Sequence, residues 1–185
     1  RVDLVVGAYS YGSGSGRVYL FYNDGSFPTA AASADVTIAG ELASALGIAL
    51  ATGDLNADGK TDLAVGGYYY SGNYTGRVYI FYNDGSIPTA AGSADVIISG
   101  STVNSSFGIT LSAGDFNADG EIDLAVGQIG TTNGVYLFYN DGSFPATDAT
   151  ADVIITGPSS YFATALVSGD FNTDGRTDLA VGSSE

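Results

Sequence analysis

GDLNADGKTDLAVG, residues 53–66, returns as GDFNADGEIDLAVG at 114–127 and as GDFNTDGRTDLAVG at 169–182, and RVDLVVG at 1–7 matches its second half. A stretch that recurs at nearly fixed spacing makes the repeat, rather than the single element, the unit from which the fold is read. Two further landmarks keep the same register. VYLFYNDGSFP (18–28) recurs as VYIFYNDGSIP (78–88) and again at 135–145, and ADVTIAG (34–40) recurs as ADVIISG (94–100) and ADVIITG (151–157). Cut after the Asp-Gly pair of each acidic stretch, at 59, 120 and 175, the chain divides into units 1–59, 60–120 and 121–175 and the start of a fourth at 176–185. The first unit lacks the opening of its own acidic loop.

Within a unit, four short runs rich in Val, Ile, Tyr and Phe are separated by Gly, Asn, Asp and Pro, the pattern of strands joined by tight turns. In the second they are DLAVGGYYY, GRVYIFYN, ADVIISG and FGITLSAG. Val78, Ile80 and Tyr82 alternate with Tyr79 and Phe81, so both faces of that strand are apolar, as when sheets pack on either side. The expected fold is all-β: propeller-type blades of four antiparallel strands, about three repeats, as a partial propeller or an open repeat array. A single blade exposes both faces and needs neighbours, and closed propellers have about 4–8 blades.

The composition removes whole classes of function. The 185 residues hold five Lys and Arg against twenty Asp and Glu, a formal charge of -15, which repels nucleic-acid phosphates and anionic headgroups. With no His and no Cys, Ser-His-Asp and Cys-His catalysis, disulfides and the usual zinc sites are absent. No apolar run approaches the roughly 20 residues that span a bilayer, so membrane insertion is not expected. No initiator Met or leader pattern is present, and the sequence is expected to be a mature, cleaved or excised stretch.

The acidic loops carry the chemistry. Asp54, Asn56, Asp58 and Asp62 stand at loop positions one, three, five and nine, with Gly59 at six and the Lys60 carbonyl available at seven. The set repeats as Asp115, Asn117, Asp119, Asp123 with the Glu121 carbonyl, and as Asp170, Asn172, Asp174, Asp178 with the Arg176 carbonyl. Oxygen donors around a glycine turn suit Ca2+, whereas Mg2+ prefers a tighter, wetter octahedron and zinc or copper the absent His and Cys. An EF-hand would carry Glu at position twelve, but Val65, Val126 and Val181 stand there inside strand-like runs. About three complete calcium sites are therefore expected, and Asp3 is an orphaned half-site of a fourth. Two carboxylates about 4 Å apart repel by up to roughly 4 kcal/mol at an effective dielectric of 20, so an empty loop resists closing. At a hundredfold excess over the dissociation constant each bound ion stabilises by about 2.7 kcal/mol, or about 8 kcal/mol for three.

These residues resemble the FG-GAP repeat family, the blades of integrin α-subunit propellers and their relatives. The family's Phe-Gly stands as Phe107-Gly108 and in altered form as Leu46-Gly47 and Phe162-Ala163, followed each time by the Gly-Asp that opens an acidic loop. The GAP element is approached by Gly7-Ala8-Tyr9 and departs elsewhere, and the family's usual ring has seven repeats. The resemblance implies a propeller fold, calcium in the loop between a blade's first two strands, and an extracellular or cell-surface, non-enzymatic role in adhesion or assembly. The expected partners are copies of the chain itself or adjoining repeats, in a ring or filament, with protein or glycan ligands besides. A fragment of an integrin-like receptor head is an alternative.

Remaining features divide between plain and functional readings. Tyr68, Tyr69, Tyr70 and Tyr74 suit a sugar platform of a lectin-like propeller, but strand packing is the stronger reading. Asp24, Asp84 and Asp141 of the YNDGS segments have no partners at alternate positions and mark turns. Asn73-Tyr74-Thr75 and Asn104-Ser105-Ser106 are glycosylation sequons in loop-like stretches. The three glutamates, Glu41, Glu121 and Glu185, join no recurring acid pair of the kind that glycoside hydrolysis needs, and no enzymatic activity is expected.

Overall fold

The alternation of β-branched and aromatic residues between Gly and Asx turns produces short antiparallel strands. A computed structural model describes residues 2–70, 72–157 and 161–184. Arg1 and Glu185, both placed inside a repeat by the sequence, lie outside the described residues. Strands β1 (Leu4–Gly7), β2 (Arg17–Phe21) and β3 (Val36–Ala39) form a three-stranded sheet. Two complete four-stranded sheets follow: β4 (Leu46–Gly53), β5 (Asp62–Gly67), β6 (Arg77–Phe81) and β7 (Val96–Ser99), then β8 (Thr110–Gly114), β9 (Asp123–Gln128), β10 (Gly134–Phe138) and β11 (Val153–Thr156). A pair, β12 (Phe162–Gly169) and β13 (Asp178–Ser183), completes the described strands. Each sheet is an antiparallel meander in chain order, and among the described residues no sheet closes into a barrel.

The blades of four expected from the sequence are present, in a different phase from the units cut at Asp-Gly. A unit such as 60–120 takes the last three strands of one sheet and the first of the next. The YYY run is a correction to the strand reading: β5 ends at Gly67, and Tyr68, Tyr69 and Tyr70 belong to the loop that leads to β6.

Stacking accounts for the two-faced apolar strands. Val78, Tyr79, Ile80 and Phe81 of β6 are all 0% exposed. Val78 and Ile80 belong to the core shared with Leu111, Leu124, Val126 and Phe138 of the following sheet. Tyr79 and Phe81 face the opposite way, into the core with Val18, Leu20 and Ile38 of the preceding sheet. Each fully buried side chain of this size stabilises by about 1.5–3 kcal/mol. Sheets approach so closely that a Cβ on Gly66 would lie 2.0 Å from the Gly108 carbonyl oxygen. The segments after the YNDG turns reach back to the previous blade, where the Ala39 and Ser99 amides donate to the Thr89 and Ala146 carbonyls at 2.9 and 3.0 Å. These contacts cover the otherwise open edges of β3 and β7.

Candidate metal centre

The three acidic loops join the first two strands of their sheets: 54–61 between β4 and β5, 115–122 between β8 and β9, and 170–177 between β12 and β13. All three fold alike. Asp54 accepts the amides of Asp58 (3.0 Å) and Gly59 (2.8 Å), and the Asn56 side-chain oxygen accepts the same Asp58 amide at 3.1 Å. Asp115 and Asn117 converge on the Asp119 amide at 3.1 and 3.0 Å, and Asp170 and Asn172 on the Asp174 amide at 3.1 and 2.9 Å. Asp58, Asp119 and Asp174 in turn accept the amide two residues on, at 2.9, 2.8 and 2.9 Å. That last bond, with the Lys60 ammonium 3.1 Å away, holds the Asp58 carboxyl below its ordinary range.

The wrap requires left-handed backbone at two places. Gly59, Gly120 and Gly175 have φ of 83°, 95° and 83°, and Ala57, Ala118 and Thr173 have φ of 60°, 63° and 64°. Glycine at position six is read directly from the sequence. The strained Ala or Thr at position four is not, because neither residue favours that region.

Position nine differs in role. Asp62, 1% exposed, turns one oxygen to the Leu55 amide (2.8 Å) and the other to the Asn83 amide (2.7 Å). Asp123 repeats both bonds, to Phe116 and Asn140, each at 2.8 Å. Burial pushes both carboxyls up, and neighbouring loop aspartates add to the effect. Asp178 makes the first of these bonds, to the Phe171 amide at 3.0 Å, and Asp3 the second, to the Asn23 amide at 2.8 Å. The orphaned half-site therefore has a structural partner of its own.

Oxygen-only donors around a left-handed glycine fit Ca2+ by chemistry. The loops gather positions one, three and five on shared backbone amides, while position nine ties the loop to the strands. Among the described residues, no three acidic side chains close together as a metal-holding group.

The sequence reading missed a third set of aspartates. Asp35, Asp95 and Asp152, each from an ADV segment, accept the amides of Tyr22, Tyr82 and Tyr139 at 2.7, 2.8 and 2.8 Å. Their constant offset from the FYND segments was a usable signal. Glu41 had none: it accepts from Arg77 (2.9 Å) and from the Tyr79 hydroxyl (2.6 Å), a tie between neighbouring sheets that does not recur among the described residues. The sequon residues Asn73 and Asn104 are exposed, and the Asn104 amide donates to the Asn73 carbonyl at 2.8 Å.

Residues 46–81 match the FG-GAP repeat and residues 115–181 the FG-GAP-like repeat. With propeller-type sheets and the acidic loop between their first two strands, the chain belongs to the FG-GAP repeat family. Among its relatives, rat (Rattus norvegicus) phosphatidylinositol-glycan-specific phospholipase D is 34% identical over 155 residues, 75% of this chain and 18% of the relative. Human (Homo sapiens) integrin alpha-7 is 35% identical over 159 residues, 80% of this chain and 13% of the relative. Human integrin alpha-6 is 32% identical over 147 residues, covering 77% and 13%. The chain thus spans less than a fifth of the length of these relatives. No helix among the described residues is long and apolar enough to cross a membrane.

Proposed function

We propose that this chain is a calcium-stabilised segment of an FG-GAP propeller, extracellular or at the cell surface, with a structural or adhesive rather than enzymatic role. The observation that carries the reading is the threefold identity of the acidic loops, in which oxygen side chains at positions one, three and five share the same backbone amides. Asp54, Asn56, Asp58, Asp62 and the Lys60 carbonyl would hold the first ion, with their counterparts at 115–123 and 170–178 holding two more. A bound Ca2+ supplies positive charge where carboxylates repel. Three ions would bring the formal charge from -15 to -9. Similarity to proteins as unlike as a phospholipase D and integrins favours a scaffold carried in different contexts.

The partner of first choice is another blade of the same kind, from adjoining repeats or a second copy. Leu4 and Val6 are 45% and 40% exposed, while their counterparts Leu63, Val65, Leu124 and Val126 are buried against the preceding sheet. An equivalent sheet would cover them.

Calorimetric titration with Ca2+, paired with light scattering on a sizing column in millimolar calcium and in chelator, tests both parts. About three ions bound, a higher melting temperature in calcium and a larger mass in calcium are the expected results. Fewer than one ion bound at millimolar calcium overturns the metal reading. An unchanged monomer in both buffers overturns assembly between copies.

A further inference from the structure

The tyrosine-rich loops leave a groove that the calcium reading does not use. Tyr9, from the β1–β2 loop, and Tyr68, Tyr69 and Tyr74, from the β5–β6 loop, line a cavity of about 440 Å³ together with Ser10 and Ser13. That volume is within the range of small-ligand sites, about 300–1,000 Å³. β5 begins at an acidic loop and ends at Gly67, just before Tyr68, so its six residues set the groove about 20 Å from the acidic loops. The Tyr9 and Tyr68 ring centroids stand 6.4 Å apart at 65°, and those of Tyr68 and Tyr74 6.4 Å apart at 32°. Tyr69 braces Tyr74 edge-on at 4.2 Å.

The same two loops already seat cations on tyrosine. Arg17 lies over the Tyr11 ring at 4.0 Å and Arg77 over Tyr70 at 3.3 Å. The groove itself is lined by no charged side chain, in a chain of formal charge -15. The rings pack edge-on or tilted against one another at the border of the groove, and a cation seated in a cavity of this size lies within the roughly 6 Å at which a ring's π-quadrupole attracts it. A guanidinium or primary ammonium carries five or three N–H groups that carboxylates serve best, and the groove offers hydroxyls but no carboxylate or amide side chain. A fully methylated nitrogen has no N–H to satisfy. We propose that the Tyr9, Tyr68 and Tyr74 groove binds a trimethylammonium group. The ring faces meet the methyls, and the protein's negative field favours the charge.

Choline chloride is the probe for the group, titrated against the whole chain in calcium and followed by tyrosine fluorescence and calorimetry. Saturable binding is expected, with uncharged 3,3-dimethylbutanol, of the same shape, about tenfold weaker. Tyr68→Leu and Tyr74→Leu, both outside the sheets, should each lower choline affinity by about tenfold with an unchanged melting temperature. Phosphatidylcholine vesicles and a trimethyllysine peptide then distinguish a lipid headgroup from a modified side chain as its source. Equal binding of choline and its neutral isostere, tighter binding of N-acetylglucosamine or a proline-rich peptide, or no saturation by 0.1 M choline would each overturn the proposal.

Discussion

Asp115 and Asp123 belong to one loop yet do different work, and substitution separates them. Asp123→Ala strips partners from the Phe116 and Asn140 amides, so it should cost about 2–5 kcal/mol in urea unfolding, with or without calcium. Asp115→Ala should instead remove about a third of the calcium-dependent stabilisation and change the chelated protein little, since its partners are exposed. Equal losses in chelator for the two variants would contradict this division. The pH response follows from the same carboxyls. Burial raises Asp62 and Asp123, so the folded, metal-free chain binds protons more readily than the unfolded one. Their charged forms therefore cost stability at neutral pH, and that cost is relieved as pH falls through the raised values toward the unfolded value of about 3.9. In calcium, where protons compete with the metal, the contribution of these groups should reverse sign. Urea midpoints at pH 7 and 5, in chelator and in calcium, with Asp62→Asn/Asp123→Asn as the reference, isolate that contribution. Spacing marks the four side-chain positions of each loop as one recurring set, but it does not show that position nine is anchored to two backbone amides in the complete blades. Those bonds depend on where Asn83 and Asn140 fall in space.

Strands were readable where both neighbours bury them and misread where a loop borrows strand residues. Aromatic β-propensity extends DLAVG into YYY, yet β5 stops at Gly67, where the chain turns into the β5–β6 loop and Arg77 comes to lie over Tyr70. The repeat fixed the number of strands in a blade but not which four share one, because a periodic sequence has no preferred starting point. Glycines within one repeat likewise serve different ends. Gly59 has φ of 83° with open space about its Cβ position, whereas a Cβ on Gly66 would lie 2.0 Å from the Gly108 carbonyl oxygen of the next blade. Gly59→Ala should cost about 1–2 kcal/mol through backbone strain alone. Gly66→Ala should cost about 3 kcal/mol or more by forcing two sheets apart. Comparable unfolding midpoints for the two would show that the sheets can slide to accept a methyl group.

In the assembled stack the acidic loops also belong to the joints between blades. Leu55, at position two of its loop, is 0% exposed and packs in the core that contains Phe144 of the next blade. Its carbonyl accepts the side-chain amide of Asn140 at 3.2 Å. Phe171 holds the same loop position but is 59% exposed, with no sheet following β13 among the described residues. An ion that fixes loop 54–61 would therefore fix a contact across two sheets as well as a turn within one. Chelation should then raise amide exchange at Asn140 and Phe144 before it reaches the middle of β6, where both faces are buried. Leu55→Ala should cost about 2–5 kcal/mol and speed exchange at the same amides even in calcium, because the peg is gone while the loop's oxygen side chains remain. If chelation leaves exchange at Asn140 unchanged while Leu55→Ala raises it, the joint is held by packing alone, and the loop ions stabilise each blade separately. If both treatments open it, ion binding and blade stacking are coupled, and the stiffness of the propeller becomes a function of calcium concentration.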